Sequence, residues 1–80
     1  MLFYSNNCLQ CDYIKRLLDE YNALKCINMV DINEDNDDLV SKYSISMTPT
    51  VVIERNGSTR SKKVLNNKTD VEWLVNNWCF

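Results

Sequence analysis

Apolar residues recur at helical spacing in one stretch of the chain and as short continuous or β-branched runs in others, and the switches between them mark out its elements. After Cys11, the residues Ile14, Leu17, Leu18 and Tyr21 fall at i, i+3, i+4 and i+7, while Asp12, Lys15, Arg16, Asp19 and Glu20 lie off that stripe. An apolar stripe at helical spacing with charges opposite predicts an amphipathic helix over residues 9–22. Ahead of it, Met1 to Ser5 reads as a short strand. Beyond it, Cys26, Ile27, Met29, Val30 and Ile32 read as a second strand. A short helix follows, capped by Asp35 or Asn36, with Leu39, Val40 and Tyr43 turned inward. The β-branched run Thr50-Val51-Val52-Ile53 is bounded by Pro49 and by Asn56-Gly57. It predicts a strand that turns through a hairpin onto a partner near Arg60 to Leu65. Last, Thr69-Asp70-Val71-Glu72 matches a capping box, with Val71, Leu74, Val75 and Trp78 as the inner face of a terminal helix.

The order is therefore β-α-β-α-β-β-α, an α/β fold with a four-stranded mixed sheet flanked by three helices, in a single domain over residues 1–80. The first β-α-β unit implies a parallel pair with a right-handed crossover, and the hairpin adds antiparallel strands. At 80 residues such a domain buries only roughly 60% of the surface of its unfolded chain. A deep cofactor cavity would empty much of that core, so a shallow surface site is expected.

Composition narrows the chemistry. A net charge of −2 and a pI near 4.9 argue against nucleic acid as the main partner. The charges are unevenly placed: residues 31–38 hold Asp31, Glu34, Asp35, Asp37 and Asp38 without a base, and residues 55–68 hold Arg55, Arg60, Lys62, Lys63 and Lys68 without an acid. Two solvated loop regions explain this; the sharper alternative is a docking surface for a partner of complementary charge. Neither a leader sequence nor a membrane span is visible, so a cytoplasmic, monomeric protein without membrane association is expected. Histidine is absent, which removes imidazole bases and mixed Cys/His zinc sites. Asp31-Ile32-Asn33-Glu34-Asp35 opens like a calcium loop, but Asn36 and Lys42 stand where that loop needs glycine and glutamate.

The candidate chemistry is Cys8-Leu9-Gln10-Cys11 at the start of the first helix. Cys8 falls at the open end, where unpaired N–H groups and the helix macrodipole favour a thiolate. Cys11 lies within ~20° of Leu18 around the helix and so points to the core side. Cys8 can then attack a substrate disulfide and Cys11 can resolve the mixed disulfide. Half of a zinc site, an iron–sulfur site shared between chains and two inert buried thiols are the alternatives; Cys26 and Cys79 are read as core or tail residues. Thr48-Pro49 opens a strand, a position that admits a cis bond and would leave Thr48 backbone facing a substrate segment. A trans proline simply starting the strand is the alternative.

With Cys8, Cys11 and Pro49 placed on this order of elements, the chain resembles the thioredoxin superfamily over nearly its whole length. Phe3-Tyr4-Ser5 before C-x-x-C is similar to the family's active-site strand. Lys42 to Ile53, followed by Asn56-Gly57, is similar to its run of helix end, cis-proline turn, strand and hairpin. The size is that of glutaredoxins and glutaredoxin-like redoxins. Leu2 stands in the place of the family's buried aspartate, Asn7 in that of a tryptophan, and Thr69-Asp70 partly echoes a glutathione-binding segment. The resemblance implies a thiol–disulfide oxidoreductase with Cys8 as nucleophile and Cys11 as resolving thiol. Leu9, Gln10, Thr48 and Pro49 would meet the substrate, and Thr69 and Asp70 would be the contacts to glutathione. Protein disulfides are the implied substrates, ribonucleotide reductase among them. A thioredoxin reductase or glutathione would supply electrons, and no bound cofactor or metal is needed. A thioredoxin-fold binding subunit, or a glutathione-dependent glutaredoxin, is the alternative function.

Overall fold

The computed structural model describes residues 1–34 and 36–79. Strand β1 (Leu2–Tyr4) leads into helix α1 (Leu9–Glu20), a short 3-10 turn (Leu24–Cys26) and strand β2 (Met29–Asp31). Helix α2 (Asp37–Lys42), the hairpin of β3 (Thr50–Arg55) and β4 (Ser58–Val64), and helix α3 (Lys68–Leu74) complete the order, with a π-helical turn over Val75–Cys79. The strands form one sheet in the order β2-β1-β3-β4. β1 runs parallel to β2, while the β1–β3 and β3–β4 pairs are antiparallel. This is the mixed sheet with three helices that the apolar pattern predicts.

Side-chain alternation along the strands divides the core in two. Leu2, Val51 and Ile53 point to one face and pack with Ile14, Leu17 and Leu18 of α1 and Val71 and Leu74 of α3. Phe3, Val30 and Val52 point to the other face and meet Tyr43 at the end of α2, with Leu39 and Val40 packed alongside. The three layers follow directly from period-two strands between helices that each carry one apolar stripe.

The boundaries show where local chemistry decides. α1 ends at Glu20 rather than at residue 22 because Asn22 takes a positive φ of 57°. The Asn22 N–H then donates to the Asp19 carbonyl and the Ala23 N–H to the Leu18 carbonyl, closing the helix end. Asn56 and Gly57, at φ 54° and 78°, make the two-residue turn that Asn-Gly predicts, since both central positions of a I′ turn need positive φ.

Several expectations are corrected. Cys26 belongs to the 3-10 turn and not to a strand, and Ile27 and Ile32 lie outside β2. The cap of α3 is Asn67, whose side chain accepts the Asp70 N–H at 3.0 Å, so the helix is capped two residues before Thr69. Trp78 is 38% exposed and does not lie on the inner face, because the π-turn rotates it away from the stripe of Val71, Leu74 and Val75. Asn36 precedes α2 without a side-chain cap bond; Asp35, the alternative cap, lies outside the described residues. Asp31 is buried rather than a solvated loop charge, held by the Asn6 side-chain amide at 3.1 Å and the Asn33 N–H at 2.8 Å. The basic run, by contrast, is exposed along the edge strand β4, where lysines discourage pairing with another sheet.

Leu18 is fully buried between α1 and the sheet. Leu18→Ala should lose about 2–5 kcal/mol of stability, the usual cost of a large-to-small change in a packed core. Urea denaturation of the oxidised protein checks this, with the midpoint falling.

Candidate active site

α1 begins at the far end of β1, where residues 5–7 turn the chain up to Cys8. Cys8 is the cap residue, in extended conformation at φ −128° and ψ 105°, and its own sulfur does the capping. Cys8 Sγ accepts the Cys11 N–H at 3.0 Å. A cap needs a short side chain carrying an acceptor, a role ordinarily filled by serine, threonine, aspartate or asparagine. Here sulfur fills it, so one sulfur of the C-x-x-C pair is also the atom that satisfies the helix end.

Cys8 and Cys11 are joined in a disulfide, with Cα atoms 5.1 Å apart, within the ordinary span for such a bond. Their surroundings differ sharply. Cys11 is 1% exposed, beneath the first turn, whereas Cys8 is half-buried at the rim. Only Cys8 is within reach of an incoming partner.

The loop before β3 comes to the same sulfur. The Thr48–Pro49 peptide bond is cis. The Thr48 hydroxyl donates to Cys8 Sγ at 3.7 Å, and the Thr48 carbonyl oxygen lies 3.8 Å from it. The Pro49 carbonyl is occupied by the Leu65 N–H at 3.0 Å, while the Thr48 N–H and carbonyl have no backbone partner among the described residues. A free donor and acceptor beside a reactive sulfur suit an extended segment laid alongside.

The remaining candidates divide. Leu9 is 89% exposed, next to the disulfide; Met47, beside Thr48, and Tyr13, one turn along from Leu9, are also exposed. Gln10 turns the other way and donates its side-chain amide to the carbonyl oxygens of Leu65 and Asn66. Thr69 is exposed in the first turn of α3. Asp70 accepts the Asn66 N–H at 2.7 Å and pairs with Lys63 at 3.4 Å. The Asn66 N–H holds the Asp70 carboxyl below the usual carboxylate range, against the opposing effect of burial, and Lys63 adds to it.

Sequence reasoning passed over Leu65 and Asn66. Their backbone ties the cis-proline loop, the first turn of α1 and the start of α3 to one another. Backbone ties of this kind leave no mark in residue type. It also missed that Cys26 and Cys79 are bonded to each other, with Cα atoms 5.8 Å apart. That pair lies beyond the C-terminal end of α1, so it does not complete a four-cysteine site with Cys8 and Cys11. A cavity of about 350 Å³, lined by Tyr21, Glu72, Val75 and Asn76, also opens at that far end. The chemistry sits instead on a shallow surface.

The arrangement matches proteins already known at the level of family and fold. Among solved structures six chains match. One, described as a malarial protein, has a TM-score of 0.66 at 19% identity, with 99% of this chain and 93% of that chain covered; at that identity the likeness speaks for the fold alone. No curated protein matches the sequence. The thioredoxin family model matches residues 1–77. Because that match runs from the first strand into the closing turn, the chain belongs to the thioredoxin family.

Proposed function

We propose that the protein is a small dithiol–disulfide oxidoreductase that reduces disulfides in other proteins. The observation that carries this reading is the Cys11 N–H held on Cys8 Sγ at the N-terminus of α1. In the reduced protein that N–H, the Thr48 hydroxyl and the positive end of the helix all stabilise a thiolate at Cys8.

The thiolate attacks a substrate disulfide and forms a Cys8–substrate bond as the first substrate sulfur leaves as a thiolate. Cys11 then attacks Cys8 Sγ and closes the Cys8–Cys11 bond as the second substrate thiolate departs. Two electrons pass from the dithiol to the substrate. Leu2 is fully buried in the core and carries no acceptor, so the Cys11 proton passes to water or hydroxide. Thr48 backbone aligns the substrate strand, and Leu9, Met47 and Tyr13 offer apolar contact around it. Gln10 supports the first turn from below.

The substrates on this reading are exposed protein disulfides, including that of ribonucleotide reductase, met by a monomer in the cytoplasm. A flavin-dependent thioredoxin reductase or glutathione returns the electrons, with Thr69 and Asp70 as the glutathione contacts. A second reading, a thioredoxin-fold binding subunit, draws on the exposed Arg60, Lys62 and Lys63 of β4.

Two outcomes are expected. In the reduced protein, Cys8 should react with iodoacetamide at pH 7 about 5–10-fold faster than free cysteine, since an unperturbed thiol is mostly protonated there. Peptide mapping of the alkylated sites measures it. Cys11→Ser should accumulate mixed disulfides through Cys8 with partner proteins, and Cys8→Ser should capture none and lose disulfide reduction down to background. Retention of biological function by Cys8→Ser would favour the binding subunit instead. Reduction of the oxidised protein by glutathione and by a thioredoxin reductase, compared side by side, decides the electron source.

A further inference from the structure

We propose that Cys26–Cys79 is a permanent structural staple, kept closed while Cys8–Cys11 cycles, and that the two ends of helix α1 set the two disulfides apart. Nothing in the catalytic reading uses Cys26 or Cys79. α1 is 12 residues long, so its ends stand roughly 18 Å apart at 1.5 Å per residue. Cys8 cannot reach the second pair within one molecule.

The helix presents opposite electrostatics at those ends. At its N-terminus, Cys8 Sγ meets an N–H at 3.0 Å and a hydroxyl at 3.7 Å, both suited to negative charge, beside a single carbonyl oxygen at 3.8 Å. Beyond its C-terminus, Cys26 Sγ lies 2.9 Å and Cys79 Sγ 3.9 Å from the Ala23 carbonyl oxygen. Ala23 closes the end of α1, where the macrodipole is negative. A thiolate at either of these sulfurs would face an oxygen lone pair, and no N–H or O–H donates to either sulfur among the described residues. Exchange proceeds through a thiolate, both when a bond is opened and when the leaving sulfur departs. The thiolate is therefore stabilised at one end of α1 and disfavoured at the other.

The fold also holds Cys26 and Cys79 together without the bond. The Trp78 indole N–H donates to the Cys26 carbonyl at 2.8 Å, which clamps the π-turn onto the 3-10 turn. Both cysteines pack against the larger core cluster. Two thiols pinned side by side have a high effective concentration for each other, which favours the closed form. The bond closes a loop of 53 positions, against 3 for Cys8–Cys11. Forming it passes two electrons and two protons from the Cys26 and Cys79 thiols to a disulfide donor such as oxidised glutathione, which leaves as two thiols.

The test uses the unmodified protein. The fully oxidised chain is equilibrated in glutathione buffers of increasing reduced-to-oxidised ratio, quenched with acid, alkylated and mapped by mass spectrometry. The expected result is a range of buffers in which Cys8 and Cys11 are labelled while Cys26 and Cys79 are not. Opening the second pair should need at least about tenfold more reducing conditions, the difference between a cycling and a structural disulfide. If both pairs open together, if Cys26–Cys79 opens first, or if Cys26 and Cys79 are free in protein whose Cys8–Cys11 is oxidised, the staple is refuted. A Cys26→Ser/Cys79→Ser double variant gives a second readout: it should melt at least ~10 °C lower and still close Cys8–Cys11. An unchanged melting temperature would refute the staple as well. None of these results depends on what the active dithiol reduces, so this proposal and the reductase reading can fail separately.

Discussion

An α-helix cannot satisfy its first amide N–H groups from within, and in this chain the sulfur of Cys8 answers that need. The remaining features of the site depend on this contact. It places the outer sulfur at the positive end of α1, and one turn later it sends Cys11 under the helix. It also orients the helix mouth toward Thr48, whose hydroxyl and carbonyl complete the surroundings of the sulfur. Replacing sulfur by a hydroxyl would keep a cap and abolish the chemistry. Structural and chemical demands therefore fall on a single atom.

That atom is held still by packing and backbone ties some distance away. Ile14, Leu17 and Leu18 fix α1 to the sheet through Leu2, Val51 and Ile53, each buried aliphatic side chain contributing roughly 1.5–3 kcal/mol. The Leu65–Asn66 segment then joins three pieces that are remote in sequence. The Leu65 N–H donates to the Pro49 carbonyl, the Asn66 and Leu65 carbonyls accept from Gln10, and the Asn66 N–H donates to the Asp70 carboxylate. Gln10 thus faces the frame although it sits between the two cysteines. Of the two intervening residues, only Leu9 is presented outward.

What could be read from the sequence was what depends on periodicity and on residues with few conformational options. The stripe of α1, the β-branched run of β3, the Asn-Gly turn and the C-x-x-C pair at a helix start all stand where the pattern puts them. Interactions between segments could not be read. Asp31 looks like one member of an acidic run, yet amide donors from Asn6 and Asn33 draw it inside. Thr69 has the right neighbours for a capping box, but Asn67, two residues earlier, caps the helix through the Asp70 N–H. Trp78 follows the apolar stripe only if the helix keeps its α pitch, and the chain switches to a π-turn after Leu74. Cys26 and Cys79 lie 53 positions apart, too far for local spacing to pair them.

The two disulfides answer a difficulty that a small redox protein has to meet. Its active bond must open and close repeatedly without altering the fold, so that bond cannot be what holds the fold together. Cys8–Cys11 spans 3 positions and removes little freedom from the unfolded chain. Cys26–Cys79 spans 53 positions, and a loop of that size is worth roughly 4 kcal/mol in the chain-entropy account. For a domain whose whole stability is on the order of 5–15 kcal/mol, that is a large share. Such a bond can serve only if the reductant that renews Cys8–Cys11 leaves it closed. A difference in surroundings is then required between two pairs of the same chemical type, and the opposite ends of one helix supply it.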